Sequence, residues 1–195
     1  MKKKLILVAA PPACGKTYVS ELISRSVEHI VYLDKDDLAD IIRCAFELCG
    51  EKLNMDGQFY SKNLRPSEYS TILNIAFSTL RFSDLVLLNA PLSKEVRDSD
   101  YMSSLKERAA ALGAQLMLIW VTAPPKVCYE RMKKRNSDRD ILKLENWDEY
   151  VKKIDYSAPT RLVEEKAVDS LIVFDTADDN AFAESLEKTL EIIRK

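Results

Sequence analysis

The sequence predicts an α/β protein in which helices cover both faces of a mostly parallel five-stranded sheet. Short apolar runs without a helical period favour strands that are buried on both sides; they lie at 5–8, 30–33, 85–88, 116–121 and 171–174. Helical patterns separate these runs, at about 16–28, 36–48, 67–82, 95–112, 125–136 and 179–194. Because strands alternate with helices, we expect crossover connections and therefore a mostly parallel sheet.

The length and charge of the chain fit one such domain. It has 195 residues, 47% of them hydrophobic and 31% charged, with a net charge of -2. A chain of this length buries roughly 70% of its unfolded surface, so we expect a single domain over residues 1–195. The near-zero charge balance argues against a strongly basic nucleic-acid-binding protein, although a local basic groove would be compatible with it.

The four cysteines show no CxxC spacing and no histidine at ligand spacing. We therefore expect neither a zinc site nor a disulfide framework, and the pattern favours reduced thiols in the cytoplasm. No apolar run approaches the 18 residues that a membrane-spanning helix needs, so we expect no membrane partner. Nothing in the sequence specifies an oligomeric state.

The first strand leads into a predicted phosphate loop. Gly15-Lys16-Thr17 matches the second half of the pattern G-x-x-x-x-G-K-[ST], directly before a helix. In such a loop the backbone N–H groups face phosphate, the lysine bridges the β- and γ-phosphates, and the threonine hydroxyl binds Mg²⁺. The predicted nucleotide-binding residues are Ala13, Cys14, Gly15, Lys16, Thr17 and Tyr18. The alternative is a chance match at a helix N-terminus.

This loop departs from the pattern at its beginning. Ala10 replaces the first glycine, and Ala13 stands at another position where glycine is common. Alanine suits both positions only if neither needs a positive φ. Pro11 and Pro12 have no N–H groups, so phosphate contacts must come from residues 13–17. A helix N-terminus also lowers a thiol pKa, which predicts a reactive Cys14.

The second strand ends in a pair of carboxylates, Asp34 and Asp36, in the run Leu33-Asp34-Lys35-Asp36. Beside a phosphate loop, one carboxylate can act through the water shell of Mg²⁺ while the other takes the proton of an acceptor hydroxyl. The alternative is an acidic cap for the following helix. The sequence has no Asn-Lys-x-Asp, which GTPases use to bind guanine, and no dinucleotide-binding G-x-G-x-x-G.

These motifs resemble the small-molecule and polynucleotide kinase branch of P-loop kinases. This branch includes adenylylsulfate kinase, chloramphenicol phosphotransferase, zeta toxins and the kinase of polynucleotide repair enzymes. Pro12, the Gly15-Lys16-Thr17 triplet and the Leu33–Asp36 run carry the resemblance. It implies a three-layer P-loop NTPase fold, ATP as the phosphate donor and Asp36 as the catalytic base.

The resemblance also implies an ATP lid, at about 128–142. Arg131, Arg135 and Arg139 are spaced by four, so they would share one face of a continuous helix. Guanidinium groups there could close over the triphosphate and stabilise transition-state charge. In related kinases a lid arginine packs along adenine, which Arg131 would do here, and the loop after the fifth strand lies beside adenine, which points to Thr176. A solvated face and a helix cap are the respective alternatives.

Two further departures concern the metal and the acceptor. Asn89 stands where these kinases often carry aspartate, so metal binding would depend more on Asp34. Ala39 replaces an arginine that grips the acceptor's phosphate in adenylylsulfate and polynucleotide kinases. Either Arg43 substitutes for it, or the acceptor has no phosphate near its reacting hydroxyl. The irregular region 49–65 is a candidate acceptor wall.

The leading hypothesis is an Mg²⁺–ATP-dependent kinase acting on a hydroxyl of a small molecule or nucleotide. In it Lys16, Asp36, Arg135 and Arg139 are catalytic, and Thr17 and Asp34 hold the metal. The alternatives are an ATP-binding regulatory protein without a small-molecule acceptor, and a polynucleotide 5′-hydroxyl kinase.

Overall fold

Five parallel strands form one sheet in the computed structural model, which describes residues 2–137 and 140–195. The strands are β1 (Lys4–Ala9), β2 (Ile30–Asp34), β3 (Leu85–Asn89), β4 (Gln115–Thr122) and β5 (Ser170–Asp175). Their order across the sheet is β2-β3-β1-β4-β5, and each neighbouring pair is parallel. Every predicted apolar run lies within one of these strands, which confirms the predicted five-stranded sheet.

The helices connect the strands as the alternating pattern predicts. They are α1 (Lys16–Ser26), α2 (Ala39–Leu48), α3 (Arg65–Thr79), α4 (Ser99–Ala110), α5 (Pro125–Arg135), α6 (Ile141–Glu145), α7 (Trp147–Lys152), α8 (Arg161–Glu164) and α9 (Asp179–Arg194). The sequence pattern does not predict α6, α7 or α8, because helices this short cannot establish a 3.6-residue period. Within the described ranges, no helix combines the length and the apolar character that crossing a membrane requires.

The ends of the predicted helices differ from the structure where the backbone changes its helical type. A 3-10 turn (Lys35–Leu38) precedes α2, and a π-helical turn (Tyr60–Leu64) leads directly into α3. The Asp34 side chain caps the 3-10 turn by accepting a hydrogen bond from the Asp36 N–H at 2.9 Å. The interpretation of the acidic residues as a helix cap is therefore correct for Asp34. Asp36 lies on the same turn, and its side chain is exposed.

Two apolar layers enclose the sheet. Leu5 and Leu7 of β1 pack in one cluster with residues of α3 and α4, whereas Ile6 and Val8 pack in a second cluster with residues of α1 and α9. All four side chains are fully buried. Because successive side chains of a strand point to opposite faces, β1 serves both layers. The predicted arrangement of a sheet between two helical layers is confirmed.

Candidate functional site

The carboxyl ends of three neighbouring strands bring the predicted site residues together. The phosphate loop follows β1, Asp34 ends β2 and Asn89 ends β3. The strand register pairs Asn89 with Asp34 on one side and with Val8 on the other. Since parallel strands end at the same edge of the sheet, the three strand exits form one site.

The phosphate loop contains two left-handed residues. Gly15, with φ of 87°, turns the chain into α1, a conformation in which glycine carries no Cβ penalty. Ala13 has φ of 63°, so the condition that neither alanine of the loop needs a positive φ is not met at this position. It holds for Ala10, which is not among the left-handed residues. A left-handed alanine costs about 1 kcal/mol, which the surrounding loop must offset.

A buried amide connects the phosphate loop to the acidic turn. Lys16 Nζ donates to Asn89 Oδ1, and Asn89 Nδ2 donates to Asp34 Oδ2 at 2.5 Å. An ammonium can only donate and a carboxylate can only accept, so an amide can face both. A carboxylate at position 89 would instead meet Asp34 with like charge. The departure at Asn89 therefore has a physical reason in this chain.

Tyr32 and Thr17 complete the same cluster. The Tyr32 hydroxyl donates to Asp34 Oδ2 at 2.6 Å and accepts from Asn89 Nδ2 at 3.1 Å. Thr17 Oγ1 lies 3.4 Å from Asn89 Nδ2. Burial, together with the hydrogen bond to Asp34, raises the pKa of Tyr32. Sequence reasoning missed Tyr32, although its position two residues before Asp34 places both side chains on one face of β2.

Lys16 carries a charge that its surroundings only partly compensate. Burial lowers the pKa of Lys16 to about 8, even though the negative charges of Asp34 and Asp36 act to raise it. The direct partner of its ammonium is the neutral amide of Asn89. This position therefore favours an additional anion beside Lys16.

The residues at this edge fit an Mg²⁺–nucleotide. Among the described residues, no three His, Cys, Asp or Glu side chains converge as a metal site. Mg²⁺ usually binds through one or two carboxylates together with phosphate oxygens and water. Asp34 and the Thr17 hydroxyl, on either side of Asn89, provide such a partial set of ligands. Lys16 and the N-terminus of α1 lie where phosphate needs positive charge.

Cys14 contributes its backbone to the site. Its thiol is fully buried, with Sγ 3.5 Å from the Sγ of Cys128. The hydrogen bond with Cys128 and burial raise the pKa of the Cys14 thiol, so the prediction of a reactive thiol is wrong. The Cys14 carbonyl accepts a buried hydrogen bond from Thr176 Oγ1 at 2.9 Å. All four cysteines are free.

Arg131 and Thr176 lie against the phosphate loop. The Arg131 guanidinium donates to Thr176 Oγ1 at 2.9 Å and to the Thr176 carbonyl at 2.7 Å. A Cβ on Gly15 would lie 3.7 Å from Arg131 Nη1. Tyr18, on α1, is 64% exposed, and its ring centroid is 5.6 Å from that of Phe182. The structure thus places Arg131 and Thr176, the two residues predicted to lie beside adenine, next to the predicted phosphate loop.

The other lid arginines are placed differently. Arg135 donates to Asp140 Oδ2 at 2.5 and 2.9 Å, and Asp140 is buried. Helix α5 contains Arg131 and Arg135 but ends at Arg135, where Asn136 adopts a left-handed conformation. Within the described residues, the shared helical face is therefore limited to Arg131 and Arg135. Arg139 lies outside the described residues, as does part of the predicted lid.

Asp36 lies at the side of the site that faces the predicted acceptor wall. Its Oδ1 is 2.9 Å from Lys35 Nζ, which is also 3.1 Å from Glu68 Oε1. Burial acts to lower the pKa of Lys35, but the hydrogen bonds and charges of Asp36 and Glu68 outweigh it and raise the pKa. Tyr60 donates a second hydrogen bond to Glu68.

A second, partly buried ion pair lies further along this wall. Arg65 donates to both carboxylate oxygens of Glu95, at 2.6 and 2.9 Å, and its guanidinium stacks 4.2 Å from the centroid of the Tyr69 ring. Arg43, the suggested substitute for an arginine at position 39, pairs with Asp40 at 2.6 Å. Sequence reasoning missed Glu95 here, because a residue 30 positions from Arg65 gives no local signal.

Comparisons with known proteins agree with this geometry. A family model described as an AAA domain, AAA_33, matches residues 5–156, whereas a search of curated protein sequences found no match. A crystal structure from Chloroflexus aurantiacus j-10-fl has a TM-score of 0.63 at 18% identity, covering 100% of this chain and 98% of the other.

Two further crystal structures share the fold. A sugar kinase from Janibacter sp. HTCC2649 has a TM-score of 0.57 at 15% identity, covering 98% of this chain and 95% of the other. The APS kinase CysC of Mycobacterium tuberculosis, in complex with AMPPNP and APS, has a TM-score of 0.55 at 14% identity, covering 100% and 99%. These likenesses confirm the predicted P-loop NTPase fold. With the family match over most of its length, the chain belongs to the AAA_33 family of AAA domains and has the fold of P-loop kinases.

Proposed function

We propose that the protein is an Mg²⁺–ATP-dependent phosphotransferase that moves the γ-phosphate to a hydroxyl group of a small molecule or nucleotide. The observation that carries the proposal is the Lys16–Asn89–Asp34 cluster, which joins the phosphate loop to the acidic turn. The exposed Asp36 carboxylate lies on the same turn. Phosphate-binding, metal-binding and proton-accepting groups are therefore neighbours at one edge of the sheet.

In this proposal the phosphate loop, from Ala13 to Tyr18, holds the nucleotide phosphates. Lys16 places its ammonium against the β- and γ-phosphate oxygens, and those anions take the place of its contact with the uncharged Asn89 amide. Thr17 and Asp34 would hold Mg²⁺, which supplies charge neutralisation on the transferred group. Arg131 and Thr176 form the adenine side. Arg135 must leave Asp140 to reach the triphosphate, and Arg139 has the same proposed role.

Asp36 accepts the proton of the acceptor hydroxyl while the new oxygen–phosphorus bond forms. The bond between the γ-phosphorus and the β-phosphate oxygen breaks at the same time, so ADP and a phosphate ester are the products. Lys16 and the lid arginines stabilise the charge that spreads over the transferred group.

The acceptor in this proposal has no phosphate beside its reacting hydroxyl. The cations on the acceptor side, buried Lys35 and partly buried Arg65, already lie against Glu68 and Glu95, and Ala39 offers no charge. An uncharged alcohol avoids competing with these pairs. The fold likeness to a sugar kinase supports this choice. The four free cysteines support a reducing location, the cytoplasm.

A second candidate is an ATP-binding regulatory protein without a small-molecule acceptor. Asn89 and the left-handed Ala13 favour it, because both depart from the catalytic pattern. It predicts ATP binding without transfer of phosphate.

The test is transfer of labelled γ-phosphate from Mg²⁺–ATP to a pooled panel of nucleosides, sugars, drug-like alcohols and 5′-hydroxyl oligonucleotides. We expect Lys16→Ala to abolish transfer, and Asp36→Asn to lower its rate by about 10²- to 10⁴-fold with ATP affinity retained. Asp37→Asn is the matched control, because it makes the same chemical change at the exposed neighbouring residue.

Each other outcome selects a different function. Full turnover by Asp36→Asn contradicts the assigned base. ATP binding without a labelled product favours the regulatory protein. A labelled oligonucleotide identifies a polynucleotide kinase, and steeply salt-dependent binding would accompany it.

A further inference from the structure

Lys35 is a buried lysine between two carboxylates of different exposure. It is 6% exposed, and its Nζ lies 2.9 Å from Asp36 Oδ1 and 3.1 Å from Glu68 Oε1. The Glu68 side chain is fully buried, whereas the Asp36 side chain is 71% exposed. The ammonium thus joins a fixed carboxylate in the protein interior to a carboxylate at the surface of the site.

Glu68, the buried carboxylate of this group, has a second hydrogen-bond partner. Tyr60, in the π-helical turn, donates its hydroxyl to Glu68 Oε2, while Lys35 occupies Oε1. Tyr60 itself packs in a small apolar cluster with Ile42 and Phe46 of α2. Glu68 therefore has partners on both oxygens, and the packed elements around it prevent it from moving with Asp36.

Burying the charge of a lysine costs free energy. Asp37, on the same turn, remains exposed, so the turn does not by itself require that Lys35 be buried. If the pair only braced the 3-10 turn (Lys35–Leu38) against α3, contact between Lys35 and Glu68 would suffice. The additional contact between Lys35 and Asp36 is not required for a purely structural role of the Lys35–Glu68 pair. It constrains a side chain that lies mostly in solvent, since the Asp36 side chain is 71% exposed.

We propose that Lys35 is a positioning residue, which, anchored by Glu68 and Tyr60, holds the Asp36 carboxylate in the orientation that receives the acceptor proton. This inference rests on the proposed function, because it assumes that Asp36 is the base. A carboxylate held in one orientation loses less entropy in the transition state than a mobile one, so the effect belongs to the rate of transfer rather than to ATP binding.

The test uses the double variant Lys35→Met/Glu68→Gln, which removes both buried charges and keeps side chains of similar size. Removing a buried pair together is often nearly neutral for stability, whereas removing one partner is strongly destabilising. Transfer is measured from labelled Mg²⁺–ATP to the panel acceptor that gives the most product. We expect kcat to fall about 10- to 100-fold, with the Kd of ATP and the unfolding midpoint close to wild type.

A double-mutant cycle separates positioning from a structural role. If Lys35 acts through Asp36, the Lys35→Met/Glu68→Gln changes lose their effect on kcat when Asp36→Asn is already present. Tyr60→Phe removes only the hydrogen bond from Tyr60 to Glu68 and leaves the Lys35 contacts in place, so we expect a smaller loss in kcat. Lys35→Arg keeps the charge and should restore part of the rate relative to the double variant.

Three outcomes overturn the inference. A folded double variant with wild-type kcat, alongside an inactive Asp36→Asn, shows that Lys35 is only a brace while the proposed function stands. The same loss of kcat in the Asp36→Asn background shows that Lys35 acts elsewhere. If the wild-type protein transfers phosphate to no acceptor, the proposed function fails, and the inference fails with it.

Discussion

On the phosphate side of the site an uncharged amide lies between the charges, whereas on the acceptor side carboxylates lie directly against the cations. Lys16 donates a hydrogen bond to the Asn89 side chain, which in turn donates one to Asp34. Lys35 and Arg65 instead contact Glu68 and Glu95. Both regions lie at the same edge of the sheet, and both bury a cation.

The pKa shifts of the two lysines have opposite directions. Burial lowers the pKa of Lys16 to about 8, while the carboxylates around Lys35 raise its pKa despite burial. The cation that we propose to receive phosphate is left partly uncompensated, whereas the cation of the neighbouring wall already has carboxylate partners. Removing the cation should therefore change the free energy of unfolding in opposite directions on the two sides.

The largest effect is expected from breaking a pair on the acceptor side. Arg65→Met leaves the Glu95 carboxylate in a largely buried position without its bidentate partner, so the free energy of unfolding should fall by about 3 kcal/mol. Arg65→Met/Glu95→Gln removes both charges and should recover most of this loss. Denaturant unfolding measures both variants. An Arg65→Met variant as stable as wild type would contradict the view that this wall is neutralised in advance.

The second prediction replaces Asn89, the uncharged amide between Lys16 and Asp34, with a carboxylate. Asn89→Asp places a second negative charge against Asp34 and removes the hydrogen bond from Asn89 Nδ2. The new carboxylate also meets the Lys16 ammonium, which offsets only part of this cost, so without Mg²⁺ the free energy of unfolding should fall by about 2 kcal/mol. Mg²⁺ should restore part of the loss by binding between the two carboxylates. Thermal unfolding with and without Mg²⁺ measures this. Asn63→Asp, at an exposed position, is the matched control and should show neither effect.

The smallest effect is expected at Lys16, with the opposite sign. Lys16→Met removes an incompletely compensated buried charge, so the ligand-free protein should gain about 1 kcal/mol near pH 7, while ATP binding is lost. The folded protein releases the Lys16 proton near pH 8, whereas the unfolded chain keeps it up to the ordinary value of 10.5. Wild-type stability therefore rises with pH across this interval, and the advantage of the variant shrinks.

Thermal unfolding near pH 7 and about pH 9.5 tests this prediction. Lys133→Met, on the exposed face of α5, is the control. A loss of stability for Lys16→Met near pH 7 would show that the Asn89 contact compensates the Lys16 charge after all.

The frame of the site could be predicted because its signals are local. An apolar run followed by Gly15-Lys16-Thr17 specifies a strand, a phosphate loop and a helix start within a few residues. The structure has the strand, the connecting loop and the helix start in place, including the left-handed Gly15, while phosphate binding by the loop stays a prediction. The same local pattern could not show that Ala13 is left-handed as well, because that conformation is imposed by the closed loop and costs the alanine energy.

The lid was the least predictable part of the site. A spacing of four places Arg131 and Arg135 on one helix, but it contains no information on their partners. Arg131 finds Thr176 of the loop after β5, and Arg135 finds Asp140. Which arginine lies near the phosphate loop depends on how α5 is packed, not on the spacing itself.

The sequence by itself determined the parallel sheet, the phosphate loop and the acidic turn after β2, since hydrophobic period and backbone requirements act over neighbouring residues. Only the tertiary structure decided the partners of the charges: Lys16 meets Asn89 across 73 positions and Lys35 meets Glu68 across 33. Those contacts depend on the register of parallel strands and on which helical turn packs over them. The free energy of a buried charge is set by these distant partners, so the difference between the two sides of the site exists only in the folded chain.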